Sequence, residues 1–183
     1  MTDDTVTSGR QIPGREEAIA TLFNACYPQL VATGYGVAGD WAVAEELAQE
    51  AFARLWRRWR WLRDPEAAPA YLHRTVVNLG NSAVRRRVLE RRVAAFRSGQ
   101  PVEAGPEAGI ELRQAIGALS PRKRACVVLR YLIGMTEVQT AQILGVSPGT
   151  VKSQTHKALR QLREYLAEPA AEAEQIRAGE RRQ

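Results

Sequence analysis

The strongest constraint on the fold lies in "MTEVQTAQILGVSPGTVKSQTHKALRQLREYL", Met135 to Leu166. Its apolar residues recur at helical spacing, and the pattern is cut once, at Gly145. Thr136 is a capping residue for a short helix whose apolar positions are Val138, Ala141, Ile143 and Leu144. Gly145 ends that helix, because glycine enters the left-handed conformation without a β-carbon penalty. Val146 supplies an apolar turn residue, Ser147 caps a second helix, and Pro148 takes its first position. There Val151, Thr155, Ala158, Leu162 and Leu166 form the stripe expected to be buried. Lys152, Ser153, His156, Lys157 and Arg160 are left facing out.

Small, polar and cationic side chains at the start of a second helix suit reading base edges in a major groove. Thr150 and the helix N-terminus are placed to meet a phosphate. An ordinary helical hairpin with a solvated basic face would share part of this pattern. The turn glycine, serine cap, stripe and outward charges together favour a DNA-binding helix-turn-helix. Two helices cannot bury a core alone, so upstream helices must complete it. Leu112, Ile116 and Leu119 form one further stripe. Ser120-Pro121 opens another, with Ala125, Val128, Leu129 and Leu132 inside.

The rest of the chain is also helical in pattern, and the expected fold is all-α: two small helical domains joined by a flexible linker. Ile19, Leu22, Phe23, Cys26 and Leu30 recur at helix spacing between Glu16 and Leu30. "GYGVAGD", Gly34 to Asp40, is expected to break that helix, and Asp40 to cap the next. The next helix carries Ala44, Leu47, Ala48, Ala51, Phe52, Leu55 and Trp59 on one arc, with Glu46, Gln49, Glu50, Ala53 and Arg57 opposite. Pro65 and Pro69 make Trp61 to Ala68 a loop. A helix resumes near Pro69 with Tyr71, Leu72, Val76, Leu79 and Ala83, ending in a basic run from Arg85 to Arg92. The expected organisation is a disordered N-terminus (1–10), a first domain (11–92), a Gly/Pro/Ser-rich linker (93–109), a second domain (110–168) and a frayed or weakly helical tail (169–183).

Both domains are basic, which suits an anionic partner and equally a basic but inert surface. Net charge is +6 over 183 residues and the pI is about 9.8. Residues 11–92 carry 12 Lys/Arg against 9 Asp/Glu, and residues 110–168 carry 9 against 4. Two basic modules on a tether suit two contacts on one polyanion, joined by effective concentration. Cys26, Cys126, His73 and His156 lie too far apart in sequence for a zinc motif or a disulfide framework, so no metal, cofactor or disulfide is expected. The acidic, polar start is unlike a signal peptide, and no apolar run reaches the ~20 residues of a membrane span. The expected location is the cytoplasm, with no membrane insertion.

Four stretches, in order and spacing, resemble the extracytoplasmic-function sigma factors of bacterial RNA polymerase. They are "AEELAQEAFARLW" (Ala44–Trp56), "AYLHRTVVNL" (Ala70–Leu79) followed by "RRR", "LSPRKRACVVLRYL" (Leu119–Leu132) and "TAQILGVSPGTVKSQTHKALRQLR" (Thr140–Arg163). The "GTVKSQT" form is similar to an actinobacterial subgroup. The resemblance makes 11–92 sigma domain 2 and 110–168 sigma domain 4. It implies binding to core polymerase, through the β′ clamp helices and β flap, and to promoter DNA. It also raises an anti-sigma factor as a partner.

By the same resemblance, Glu46, Gln49, Glu50 and Arg57 dock on polymerase. Trp61, Leu62, Tyr71, Arg74, Asn78, Arg85 and Arg86 serve the minus-ten element, with Asn78 and the Trp61–Ala68 loop holding a flipped base. Lys152, Ser153, His156 and Lys157 face the bases of the minus-thirty-five element, while Thr150 and Gln154 meet its backbone. Family members often carry arginine at Gln154, an aliphatic residue at Thr155 and aspartate at Ser82, so a phosphate contact is expected to be lost, the stripe to be slightly looser, and the resemblance does not fix the minus-ten preference.

The implied function is to direct polymerase to promoters and assist melting. A helix-turn-helix regulator that binds only duplex DNA is the alternative, and it leaves residues 16–92 without a task. No nucleophile-base pair, metal cluster or phosphate loop points to an enzyme. "FARLWRRWRWLRDP", Phe52 to Pro65, divides on helix phase: Phe52, Leu55 and Trp59 lie on the apolar arc, with Trp56 at its edge, and Trp61 lies beside the base-holding loop.

Overall fold

The computed structural model describes residues 14–61, 64–98 and 110–180, and every regular element among them is helical. The expected disordered N-terminus, Leu62 and residues 99–109 of the expected linker lie outside the described residues.

The first unit is a three-helix bundle of α1 (Arg15–Ala38), α2 (Trp41–Arg58) and α3 (Ala68–Ser98). Its core is built from Cys26, Leu30, Ala44, Leu47, Ala48, Ala51, Phe52, Leu55, Leu72 and Val76. The expected α2 arc is therefore the buried one, with Trp59 half-buried at its end. Phe23 is 41% exposed, yet it stacks on Tyr27 and meets Phe52 at 5.0 Å between ring centroids. Trp56 lies at the edge, with the Arg15 guanidinium 3.8 Å from its ring centroid.

Glycine misled the reading of α1, which runs through Gly34 and Gly36 and stops only at Gly39, where φ is 71°. Gly34 is a contact surface: a β-carbon there would lie 3.0 Å from the Ala44 backbone of α2. Asp40 caps α2 as expected, accepting from the Val43 N–H at 3.2 Å. The loop before α3 contains two 3-10 turns, Trp59–Trp61 and Pro65–Ala67, the second capped by Asp64. The helix after it does not end in the basic run but continues to Ser98, six residues into the expected linker.

The second unit contains α4 (Ile110–Ala118), α5 (Pro121–Val127), α6 (Glu137–Leu144) and α7 (Pro148–Glu180). α5 runs into a widened π-turn over Val128–Leu132, closed by the Ile133 N–H on the Val128 carbonyl at 3.0 Å. α7 passes through Pro169 to Glu180, so of the two expectations for the tail, frayed or weakly helical, the described part is helical. Ala115, Leu119, Val127, Ala158 and Leu162 form one apolar cluster, and Cys126, Ala141 and Val151 another.

Three apolar assignments fail. Val138 is 56% exposed, because it lies on the face of α6 away from Thr140, Ala141 and Ile143. Leu112 is 50% exposed: its phase matches Ala115 and Leu119, but it belongs to the first turn, beyond their cover. Leu132 is 55% exposed, since the wide turn retards the helix phase and Ile133 and Met135 pack inward in its place.

The two units touch. Val37 of α1 and Val77 of α3 pack with Ala125, Val128, Leu129 and Ile143 in one buried seam.

Candidate nucleic-acid and polymerase interfaces

The helix-turn-helix is held by matched caps. The Thr136 hydroxyl accepts from the Gln139 N–H at 3.2 Å, and the Gln139 side chain accepts from the Thr136 N–H at 2.9 Å. Gly145 turns the chain at φ 66°. The Ser147 hydroxyl accepts from the Thr150 N–H at 3.1 Å and lies 2.9 Å from the Thr150 hydroxyl. Thr150 is thus both a capped residue and half-exposed at the start of α7.

Val151, Thr155, Ala158 and Leu162 are buried, and Leu166 is half-buried. Lys152, Ser153, His156, Lys157 and Arg160 are exposed together on the other face, with Gln154 half-exposed between them. Arg160 is tied to Glu164 at 3.8 Å. Lys152 and Lys157 therefore carry the positive charge at the front of the helix. The Thr155 hydroxyl is buried with no partner, the consequence of a polar residue on an apolar stripe.

On α3, Tyr71 is half-buried against the first core, while Arg74 and Asn78 are exposed one turn apart. The Asn78 carbonyl accepts from Ser82, whose oxygen in turn accepts from Arg85 at 3.0 Å. Ser82 thus orients an arginine. Arg86 pairs with Glu90 at 3.4 Å, and Arg87 reaches the Asp40 cap at 3.7 Å. Trp61 closes the first 3-10 turn, and Leu62 lies outside the described residues.

On α2, Glu46 and Gln49 are exposed and Glu50 is half-exposed beside them. The Glu50 carboxylate accepts from Arg54 at 2.7 Å and Arg57 at 3.3 Å, and the Arg54 hydrogen bond holds its pKa below the ordinary carboxylate range. Arg57 thus belongs to a network with Arg54, a residue absent from the sequence-based set.

Sequence reasoning also missed Arg124 and Gly36. Arg124 is 5% exposed on α5, and its guanidinium donates to the carbonyls of Ile116, Gly117, Leu119 and Val37. Its signal was present: Arg124 stands four residues before Val128, in phase with the buried stripe. Among the described residues no helix is long and apolar enough to cross a membrane, and no group of three or more His, Cys, Asp or Glu is placed to hold a metal ion.

Two family models match the chain: "Sigma-70 region 2" over residues 22–89 and "Sigma-70, region 4" over residues 109–162. They fall on the first helical bundle and on the unit containing the helix-turn-helix. The RNA polymerase sigma-E factor of Streptomyces antibioticus is 36% identical over 162 residues, covering 82% of this chain and 83% of that protein. The ECF RNA polymerase sigma factor SigL of Mycobacterium tuberculosis is 32% identical over 177 residues, covering 86% and 96%.

Among solved structures, CnrH in complex with the cytosolic domain of CnrY matches with a TM-score of 0.64 at 20% identity, over 84% of this chain and 90% of that one. The sigma factor RpoE in complex with the anti-sigma factor NepR from Bartonella quintana gives 0.62 at 22% identity, over 81% and 96%. These two likenesses support the fold. The family matches and the curated relatives go further: the chain belongs to the sigma-70 family, in its extracytoplasmic-function group, and serves RNA polymerase in promoter-specific initiation of transcription.

Proposed function

We propose that each interface above carries one step of initiation. Glu46, Gln49, Glu50 and Arg57 on α2 dock on the polymerase clamp helices, and the second unit meets the β flap. The N-terminal part of α7 enters the major groove of the minus-thirty-five element, with Lys152, Ser153, His156 and Lys157 toward the bases. Thr150 and Gln154 meet the backbone. α3 and the preceding loop open the minus-ten element: Asn78 offers an amide to a flipped base, with Trp61, Leu62 and Tyr71 beside it. Arg74, Arg85 and Arg86 hold the phosphates of the separated strand.

The observation that carries this reading is the cluster of exposed polar and cationic side chains at the start of a capped second helix, opposite a buried stripe. The chain supplies recognition and melting in the cytoplasm, and bond formation stays with the polymerase. The two structural neighbours are complexes with partner proteins, one of them named an anti-sigma factor, and a protein of that class is the regulator proposed for this chain. Run-off transcription with an actinobacterial core polymerase and a promoter library tests the reading. Specific initiation and comigration with core are expected; absence of both overturns it.

A further inference from the structure

Trp41 opens α2 with 57% of its surface exposed. The core does not need it there, because Val43 and Ala44 supply the packing of that turn. Its ring is nevertheless held. The Tyr35 ring of α1 lies nearly parallel to it, 4.3 Å between centroids and 16° between planes, and Tyr35 is itself packed against the first core. The turn between the two rings is fixed by Gly39 at φ 71° and by the Asp40 cap. A tryptophan held in this way presents a wide apolar face whose side-chain torsions are already set, so a partner covers it at small entropic cost.

Helix phase joins Trp41 to the face of α2 proposed to dock on polymerase. Glu45 and Gln49 follow it at i+4 and i+8 along one flank, with Glu46 beside them, and all three are exposed. From Asp40 to Ala53 the chain has four Asp/Glu and no Lys/Arg, although its net charge is +6. Asp40 is tied to Arg87, and Glu50 to Arg54 and Arg57. Glu45 and Glu46 stand in no ion pair among the described residues. An acidic surface repels a DNA backbone and suits a basic protein surface, which decides the class of partner.

We propose that Trp41, pinned by Tyr35, is the apolar anchor of the first unit on core polymerase, filling a recess in a basic helical surface whose charges meet Glu45 and Glu46. The proposal rests on the docking of α2 and adds residues to it. Tryptophan, tyrosine and arginine dominate interface hot spots, while charged contacts around them give steering and register more than affinity. Trp41 touches the partner, and Tyr35 is a positioning residue that acts through it.

The test measures the dissociation constant of the full chain for an actinobacterial core polymerase, by competition with labelled wild-type chain. Trp41→Ala should weaken binding at least about thirtyfold, the loss that marks a hot spot. That loss should persist at raised salt, whereas the loss from Glu45→Gln should shrink. Tyr35→Leu should weaken binding on its own and add nothing to Trp41→Ala, a coupling that general destabilisation would not produce. Tyr35→Phe keeps the stack and should bind as wild type does.

Circular dichroism and urea unfolding check that each variant is folded. Should Trp41→Ala lose its helices, Trp41→Gln takes its place under the same criterion. Core affinity within about twofold of wild type overturns the anchor. Equal effects of Tyr35→Leu with and without Trp41 overturn the positioning role. Loss of binding to single-stranded minus-ten DNA by Trp41→Ala, with core affinity kept, would assign the surface to nucleic acid and overturn the proposal. Glu46→Ala separates the anchor from the docking reading. If it weakens core binding and Trp41→Ala does not, only the anchor falls; if Trp41→Ala alone weakens it, the anchor stands and the place of Glu46 in the docking face falls.

Discussion

Acid should weaken the first unit through one residue, His73. Its ring is 2% exposed on α3, with Nδ1 3.0 Å from the Thr33 hydroxyl of α1. That hydroxyl has one proton and donates it to the Gln29 carbonyl at 2.8 Å. It therefore accepts from His73, which places the proton of the neutral ring on Nδ1. A second proton would leave a cation in the core, and burial pushes the His73 pKa down to about 4 from 6.5.

The folded state thus binds fewer protons than the unfolded chain between those values. The stability contribution is whole above about pH 6.5 and is lost as pH falls toward 4. Each unit in that window removes about 1.4 kcal/mol, so the loss at pH 4 approaches about 3 kcal/mol. Urea unfolding at steps across that window, on wild type and His73→Gln, isolates the effect, because the other titrating groups are common to both chains. The variant should lose less stability than wild type, by about that amount. Parallel loss in the two chains would refute the neutral, buried ring.

Three further outcomes are expected. Lys157→Ala should weaken minus-thirty-five binding by about 1–3 kcal/mol, read by gel shift, and leave core binding unchanged. Thr140→Val removes a buried hydroxyl that has no partner, and should raise stability by about 1 kcal/mol or more in chemical denaturation. Cys26 and Cys126 are buried free thiols whose pKa values burial raises, with Arg122 partly opposing at Cys126; a thiol reagent should label neither until denaturant is added, then both.

Local pattern carried most of the helices and caps. Asp40, Thr136, Gly145 and Ser147 act at the chain positions where their chemistry says they should, because capping is settled within one turn. The exposed faces of α2 and α7 were legible for the same reason: α-helical phase is periodic over short range. What failed depends on partners distant in sequence. Gly34 and Gly36 read as breakers, yet each permits another helix to approach, and only the fold shows which. Leu132 was misplaced because the π-turn resets the phase, and Leu112 because periodicity cannot say where a covering helix ends. Arg124 was invisible as a bridge because its cross-unit partner is a main-chain carbonyl, which has no sequence signature.

The seam also has a schedule. The first bundle is complete once Ser98 has been made, but the side chains that cover Val37 and Val77 end at Ile143, 45 residues later. At synthesis rates of about 5–20 residues per second, that apolar face stays bare on the ribosome for about 2–9 s. The nascent bundle therefore passes through an interval in which the side chains that will cover this face have not yet been made.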